Sequence, residues 1–179
     1  MLYLGIGAGR LAAPLSAAGV QLIGVDSHPG MLEHLGRRLP GTELIRSRLE
    51  DLDLNHRFDL VMVPSNILYT VARLRRAASH VAPGGRLVFE LANPHWLRAG
   101  AGEGVRVPRL DGNEARLEID YQVDGRLVTQ IADIGLLWPD EIDRWLPSAG
   151  LALERMFGAP DVGLSSSPTY YVISRRSVD

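Results

Sequence analysis

The sequence contains no cysteine and no lysine; all 19 of its basic residues are arginine. Without cysteine there is no disulfide, no thiolate nucleophile, no thiolate metal ligand and no cysteine-held iron–sulfur cluster. Without lysine, Schiff-base chemistry on a lysine amine is excluded, and so is a Walker-type phosphate loop, which needs its lysine. No apolar run approaches the ~20 residues of a membrane-spanning helix. The N-terminus lacks the charged segment and cleavage site of a secretory signal. The expectation is a soluble cytoplasmic chain with no membrane partner. Nor is there an excess of charge: 19 basic and 21 acidic residues leave a formal charge of −2. No basic field exists to hold a phosphate backbone, so nucleic acid is not an expected partner. The five histidines show no metal-ligand spacing, and no metal is expected.

What remains is a globular balance of 46% hydrophobic and 22% charged residues over 179 positions. That length supports one core and is thin for two, so residues 1–179 read as one domain. The first half alternates strands and helices. Residues 2–6 form a short apolar run, and residues 10–18 carry Leu11, Leu15 and Ala18 at helical spacing, with Gly19 as a stop. Pro14 is tolerable there only near the first turn. Residues 21–26 read as a second strand. Pro29 opens a helix from its first position, with Met31, Leu32, Leu35 and Leu39 on one face and Pro40-Gly41 at its end. Residues 43–47 and 58–64 are further strands, the latter an apolar run typical of a strand buried on both faces. Ile67, Val71, Leu74, Ala78 and Val81 keep helical spacing for about four turns, and Arg73, Arg75 and Arg76 read as its solvated face. Pro83-Gly84-Gly85 would stop that helix ahead of a fifth strand at 86–92. Residues 98–104 read as a glycine-rich loop. Asp124-Gly125 marks a hairpin between strands at 114–123 and 126–134, with Leu117, Ile119, Tyr121 and Val123 alternating as one buried face. A helix at 139–149 and an antiparallel pair at 152–157 and 169–175 close the chain. The fold class is α/β: a Rossmann-like, doubly wound, mostly parallel sheet with a C-terminal antiparallel strand pair, plus an antiparallel hairpin inserted at about 98–134.

The chemistry gathers at Gly5-Ile6-Gly7-Ala8-Gly9, which ends one strand and opens a helix. Glycines there let backbone amides approach a ligand at a helix N-terminus. Asp26 ends the next strand, where a carboxylate can accept both hydroxyls of a ribose. A dinucleotide site needs a small sixth residue for close strand–helix packing. Arg10 occupies that position, which disfavours a nicotinamide-dependent oxidoreductase.

The G-x-G-x-G spacing resembles motif I of the class I S-adenosylmethionine-dependent methyltransferases, small-molecule type. Residues 2–15 (LYLGIGAGRLAAPL) look like that family's first strand, loop and helix, and 22–32 (LIGVDSHPGML) like its second strand, ribose acid and helix. Residues 46–54, 58–66 and 81–94 resemble its next three landmarks, and 138–158 its closing helix and strand. The resemblance implies S-adenosylmethionine as cofactor, S-adenosylhomocysteine as product and a small-molecule methyl acceptor, methylated on nitrogen or oxygen. It implies that Gly5, Gly7 and Gly9 line the methionine part of the cofactor and that Asp26 holds its ribose. Ser27 and Met31 would lie near ribose and adenine, Leu49 and Glu50 would flank the adenine, and Pro64 would approach the sulfonium.

Methyl transfer is an in-line displacement that needs reactants held close and collinear, and a hydroxyl acceptor benefits from a general base. His95 after the fifth strand, then Asn66 and Tyr69 after the fourth, are the candidates. Tyr3 stands where the family carries an acid before the glycines, and Arg48 stands where it carries the acid that accepts from the adenine amino group. Those departures support a second reading, a binding or regulatory module with weak methyl transfer. The family's N-terminal helices, which cover the cofactor, have no counterpart ahead of Gly5. The pocket is therefore expected to be open or to be covered by a second copy in a homodimer.

Overall fold

The computed structural model describes residues 1–178, in which ten strands form two sheets. In the first, β1 (Leu2–Leu4), β2 (Ile23–Asp26), β3 (Glu43–Arg46), β4 (Phe58–Val63) and β5 (Val81–Ala92) run parallel. The second is antiparallel and holds β6 (Val105–Asp111), β7 (Glu114–Val123) and β8 (Arg126–Gly135). The chain then returns through β9 (Leu151–Phe157) and β10 (Thr169–Arg176). β10 lies antiparallel between β5 and β9, which gives the order β3-β2-β1-β4-β5-β10-β9. The strand order reverses between β1 and β4, the place where open α/β sheets bind ligands.

Helices cover both faces of the large sheet. Alternation sends Leu2 and Leu4 to one face and Tyr3 to the other. On Tyr3's side, α1 (Ala12–Ala17) and α2 (Pro29–Arg38) bury Ala12, Leu32 and Leu35 with Ile6. On the opposite side, α3 (Val71–Ser79) and α5 (Ile142–Trp145) pack Leu74, Ala77, Ile142 and Leu146 against Leu2, Val61, Leu87 and Phe89. Each fully buried aliphatic or aromatic side chain contributes roughly 1.5–3 kcal/mol. A short helix, α4 (Pro94–Arg98), links β5 to the small sheet. Its Leu97 meets Ala115, Leu117 and Leu136 in a separate apolar cluster. Among the described residues, no helix is long and apolar enough to cross a membrane.

The fold class stands as read, with local differences. The helix expected from Ile67 begins only at Val71, where Thr70 Oγ1 accepts from the Arg73 amide at 3.3 Å. Ile67 and Leu68 keep their apolar character because they pack into the core from a loop; Leu68 is fully buried. Pro83-Gly84-Gly85 does not stop that helix. It bulges within β5, whose pairing steps from Phe58–Val81 to Leu60–Arg86. The closing helix at 139–149 is broken into a 3-10 turn, the single turn of α5 and a second 3-10 turn beginning at Pro147. The inserted hairpin is a three-stranded sheet, because β6 joins it. Its apolar face is covered only near the core: Leu117 is buried, whereas Tyr121 and Val123 are exposed. Met31 is also exposed, unlike Leu32 and Leu35 on the same helix.

Candidate functional site

The turn after β1 requires its glycines. Gly5, Gly7 and Gly9 all have positive φ, at 72°, 55° and 84°. A Cβ on Gly5 would lie 2.3 Å from Ile67 Cδ1, and one on Gly9 2.3 Å from Leu35 Cδ1, whereas Gly7 faces open space. The amides of Gly5 and Ile6 both donate to the Val25 carbonyl, at 2.8 and 3.0 Å. Asp26, the next residue along β2, accepts from the Gly7 amide on Oδ2 at 2.8 Å and from the His28 amide on Oδ1 at 2.9 Å. One carboxylate thus ties the glycine turn to the start of α2 and retains a free lone pair on each oxygen. His28 caps α2 by accepting from the Met31 amide on Nδ1 at 3.3 Å. Arg38, at the far end of α2, donates to the Ala8 carbonyl at 3.1 Å.

Beside this junction lies a cleft of about 870 Å³. Gly5, Asp26, Ser27, Leu49 and Glu50 line it, together with Arg46 at the end of β3, Ser47 and Arg48 just after it, Ile67 ahead of α3 and Arg73 in its first turn. Five of the nine residues anticipated around the cofactor therefore share one cleft. Gly7 and Gly9 belong to the turn without lining it, Met31 sits on the exposed first turn of α2, and Pro64 is buried at the end of β4. Arg73 had no local signal marking it for this place. Its Nε donates to Glu50 Oε1 at 2.8 Å, its guanidinium lies 4.7 Å from the Tyr69 ring centre, and Nη1 reaches the Ile67 carbonyl at 3.4 Å. It closes one wall of the cleft, whereas Arg75 turns away to the Ser148 carbonyl at 3.0 Å. The three arginines are therefore not one solvated face. Glu50 is held below the ordinary carboxylate range, first by its own backbone amide and then by Arg73 and Arg48. Burial raises the Tyr3 phenol above its ordinary value; Arg10 opposes that and Glu90 adds to it.

The three candidates for catalysis lie along the carboxyl ends of β4 and β5. Asn66 and the preceding Ser65 both have positive φ, at 56° and 71°. The Asn66 side chain bridges the two sheets: Oδ1 accepts from the Ala92 amide at 3.0 Å and Nδ2 donates to the Gly135 carbonyl at 2.9 Å. Tyr69 packs against Gly135, where an added Cβ would fall 2.0 Å from a ring carbon. His95 is exposed in the first turn of α4 and meets Trp138 edge-on at 5.1 Å, while the Arg98 guanidinium covers that indole at 4.3 Å. None of the three lines the cleft.

Residues 1–85 match the family model described as a methyltransferase domain. The chain is similar to the ubiquinone biosynthesis O-methyltransferase of Bradyrhizobium sp. (strain ORS 278), with 27% identity over 174 residues, 87% of this chain and 68% of the relative. Against the protein of the same name from Bradyrhizobium diazoefficiens, identity is 30% over 103 residues, which span 54% of this chain and 41% of that one. Among solved structures, CalS10, an amino pentose methyltransferase from Micromonospora echinaspora with bound S-adenosylmethionine, superposes with a TM-score of 0.77 at 24% identity. That match covers 98% of this chain and 82% of CalS10. The CcbJ methyltransferase from Streptomyces caelestis gives 0.74 at 23%, with the same coverage. At these identities the structural likeness establishes the fold.

Proposed function

We propose, for a chain whose residues 1–85 match a methyltransferase-domain model and whose fold is that of the class I S-adenosylmethionine-dependent enzymes, that it methylates a nitrogen or oxygen atom of a small molecule. S-adenosylmethionine is the cofactor and S-adenosylhomocysteine the product. The observation that carries the reading is Asp26, which lines the cleft at the point where strand order reverses and keeps unused acceptor capacity there. The site fits the cofactor: a carboxylate for the ribose hydroxyls, a glycine turn with no side chains in the way, and an apolar wall from Leu4, Leu49 and Ile67. On this reading Gly5, Gly7 and Gly9 hold the methionine part, and Asp26 with Ser27 and Met31 the ribose side. Leu49 and Glu50 flank the adenine, and Pro64 backs the sulfonium. When bound, the cofactor supplies an electrophilic methyl on a sulfonium. The chain's part is to orient it and the acceptor in line.

His95 is assigned the general base for a hydroxyl acceptor. Tyr69 frames the acceptor side, and Asn66, with both polar side-chain atoms engaged, positions the small sheet above it. We read residues 1–179 as one domain with 98–134 inserted. The insertion would choose the acceptor, so replacing 105–134 with a short linker should leave cofactor affinity nearly intact and abolish acceptor binding. Tyr3 and Arg48 support the second reading, a binding or regulatory module with weak transfer, because neither supplies a carboxylate where the family has one and Arg48 has no acceptor at all.

Titration calorimetry with S-adenosylmethionine, S-adenosylhomocysteine and NAD tests the proposal. The first two should bind and NAD should not. Asp26→Ala should weaken cofactor binding by at least ~1.5 kcal/mol, about tenfold, as for a hydrogen bond to a charged group. Unchanged affinity in that variant would remove the placement. Tight binding without turnover on any amine or hydroxyl acceptor tried would favour the second reading.

A further inference from the structure

The small sheet has two edge strands, and they are built differently. β6 is defended by Pro108, by a register shift between Arg106 and Arg109, and by those two arginines. On β8 the only charges, Arg126 and Asp133, stand near the ends of the strand. It pairs with β7 without a break over ten residues, has no proline, and among the described residues no strand pairs with its outer edge, where Asn66 takes only the terminal Gly135 carbonyl. Leu127 and Ile131, on one face of β8, are 64% and 62% exposed; Val128, on the other face, is 47% exposed, and Tyr121 and Val123 extend that second face onto β7. A long, regular, apolar edge of this kind is a template for another strand.

The turn says which backbone groups are free. Asp124 and Gly125 both have positive φ, at 49° and 75°, the signature of a two-residue type I′ turn. Val123 and Arg126 then exchange hydrogen bonds across it, and such pairs recur at every second residue. Val128, Gln130, Ala132 and Ile134 therefore turn their amides and carbonyls to β7. Leu127, Thr129, Ile131 and Asp133 turn theirs outward.

We propose that β8 is the interface with a second copy of this chain, paired antiparallel about a two-fold axis at Thr129. The occupant follows from the strand's own pattern. Centred on Thr129, Leu127 lies opposite Ile131 of the partner subunit on one face of the sheet, and Val128 lies opposite Gln130 of the partner subunit on the other. The outward amides and carbonyls of Leu127, Thr129 and Ile131 then satisfy one another. The match is self-complementary, as an isologous interface must be. It joins two three-stranded sheets into one of six strands and uses up the unguarded edges. Because both remaining edges are guarded β6 strands, the assembly closes at two copies. This surface lies on the inserted sheet and not beside the glycine turn, so the pairing leaves the cleft between β1 and β4 untouched.

Light scattering across a concentration series tests the assembly, and engineered cysteines test its register in a chain that has none of its own. The wild type should have twice the 19.6 kDa mass of one chain. Ile131→Lys places like charges on an edge at an exposed position and should give a single-chain mass that still unfolds in one cooperative transition, its melting temperature no longer dependent on protein concentration. Thr129→Cys should cross-link to a covalent dimer under mild oxidation, since directly opposed strand residues lie within disulfide reach. Glu33→Cys, exposed on α2, should remain uncross-linked. A wild type of single-chain mass at all concentrations overturns the proposal. So does a dimer that survives Ile131→Lys while Thr129→Cys fails to cross-link, or cross-linking of both cysteines alike, or open-ended polymers. Should Ile131→Lys not fold, the Thr129→Cys result still decides.

Discussion

Gly135 has no room for a side chain, although its φ is not in the left-handed region. Three ring atoms of Tyr69 lie within 2.0–2.6 Å of where its Cβ would be. Gly135→Ala should therefore destabilise the chain by roughly 1–3 kcal/mol, the usual cost of overpacking. A urea midpoint checks this, and Tyr69→Ala in the same chain should recover part of the loss. At this scale, legibility followed locality. Gly5 and Asp26 were readable because each sits at the end of a strand whose apolar run announces it. Arg73 was not, because its place in the cleft depends on where α3 starts and on Glu50, 23 residues away. Arg48, read as a departure from the family's acid, does line the cleft, 3.8 Å from Glu50.

Asn66 joins elements that the sequence keeps apart, β5 at Ala92 and β8 at Gly135. Its left-handed backbone also favours asparagine over alanine. Asn66→Ala removes both side-chain bonds and should cost about 1–3 kcal/mol. It should also raise amide hydrogen exchange in β6–β8 while leaving β1–β4 protected; uniform loss of protection would mean that the small sheet is not a separate cooperative unit. Thr70→Ala removes the cap of α3 and should lower stability by ~1 kcal/mol. Parallel strands announced themselves through apolar runs, and the hairpin through Asp124-Gly125. β6 was unreadable because Pro108 and two arginines in seven residues are the marks of a guarded edge, which local propensity reads as no strand at all. The misplaced start of α3 has the opposite cause: Ile67 fits the helical period by packing inward from a loop.

Across the whole molecule, one buried histidine makes stability depend on pH in the range where imidazoles titrate. His80 is 2% exposed, its Nε2 accepts from the Leu54 amide at 3.3 Å, and its Nδ1 lies 2.9 Å from the Arg76 carbonyl. Burial, helped by the Arg76 charge, lowers its pKa below the ordinary 6.5, although the bond to the Arg76 carbonyl opposes the shift. The folded chain therefore binds fewer protons than the unfolded chain below pH ~6.5. His80 adds no penalty above that value, and stability should fall as pH drops through and below it. Urea unfolding from pH 8 to 5 should show that decline, and His80→Gln should flatten it. The tie at Asp26 has a consequence for the tempo of binding. Its carboxylate already fastens the Gly7 amide to the head of α2, so the ribose-facing contour exists before any ligand arrives. Little ordering is left to be done on contact, and association should be a single fast step whose rate does not saturate as ligand concentration rises.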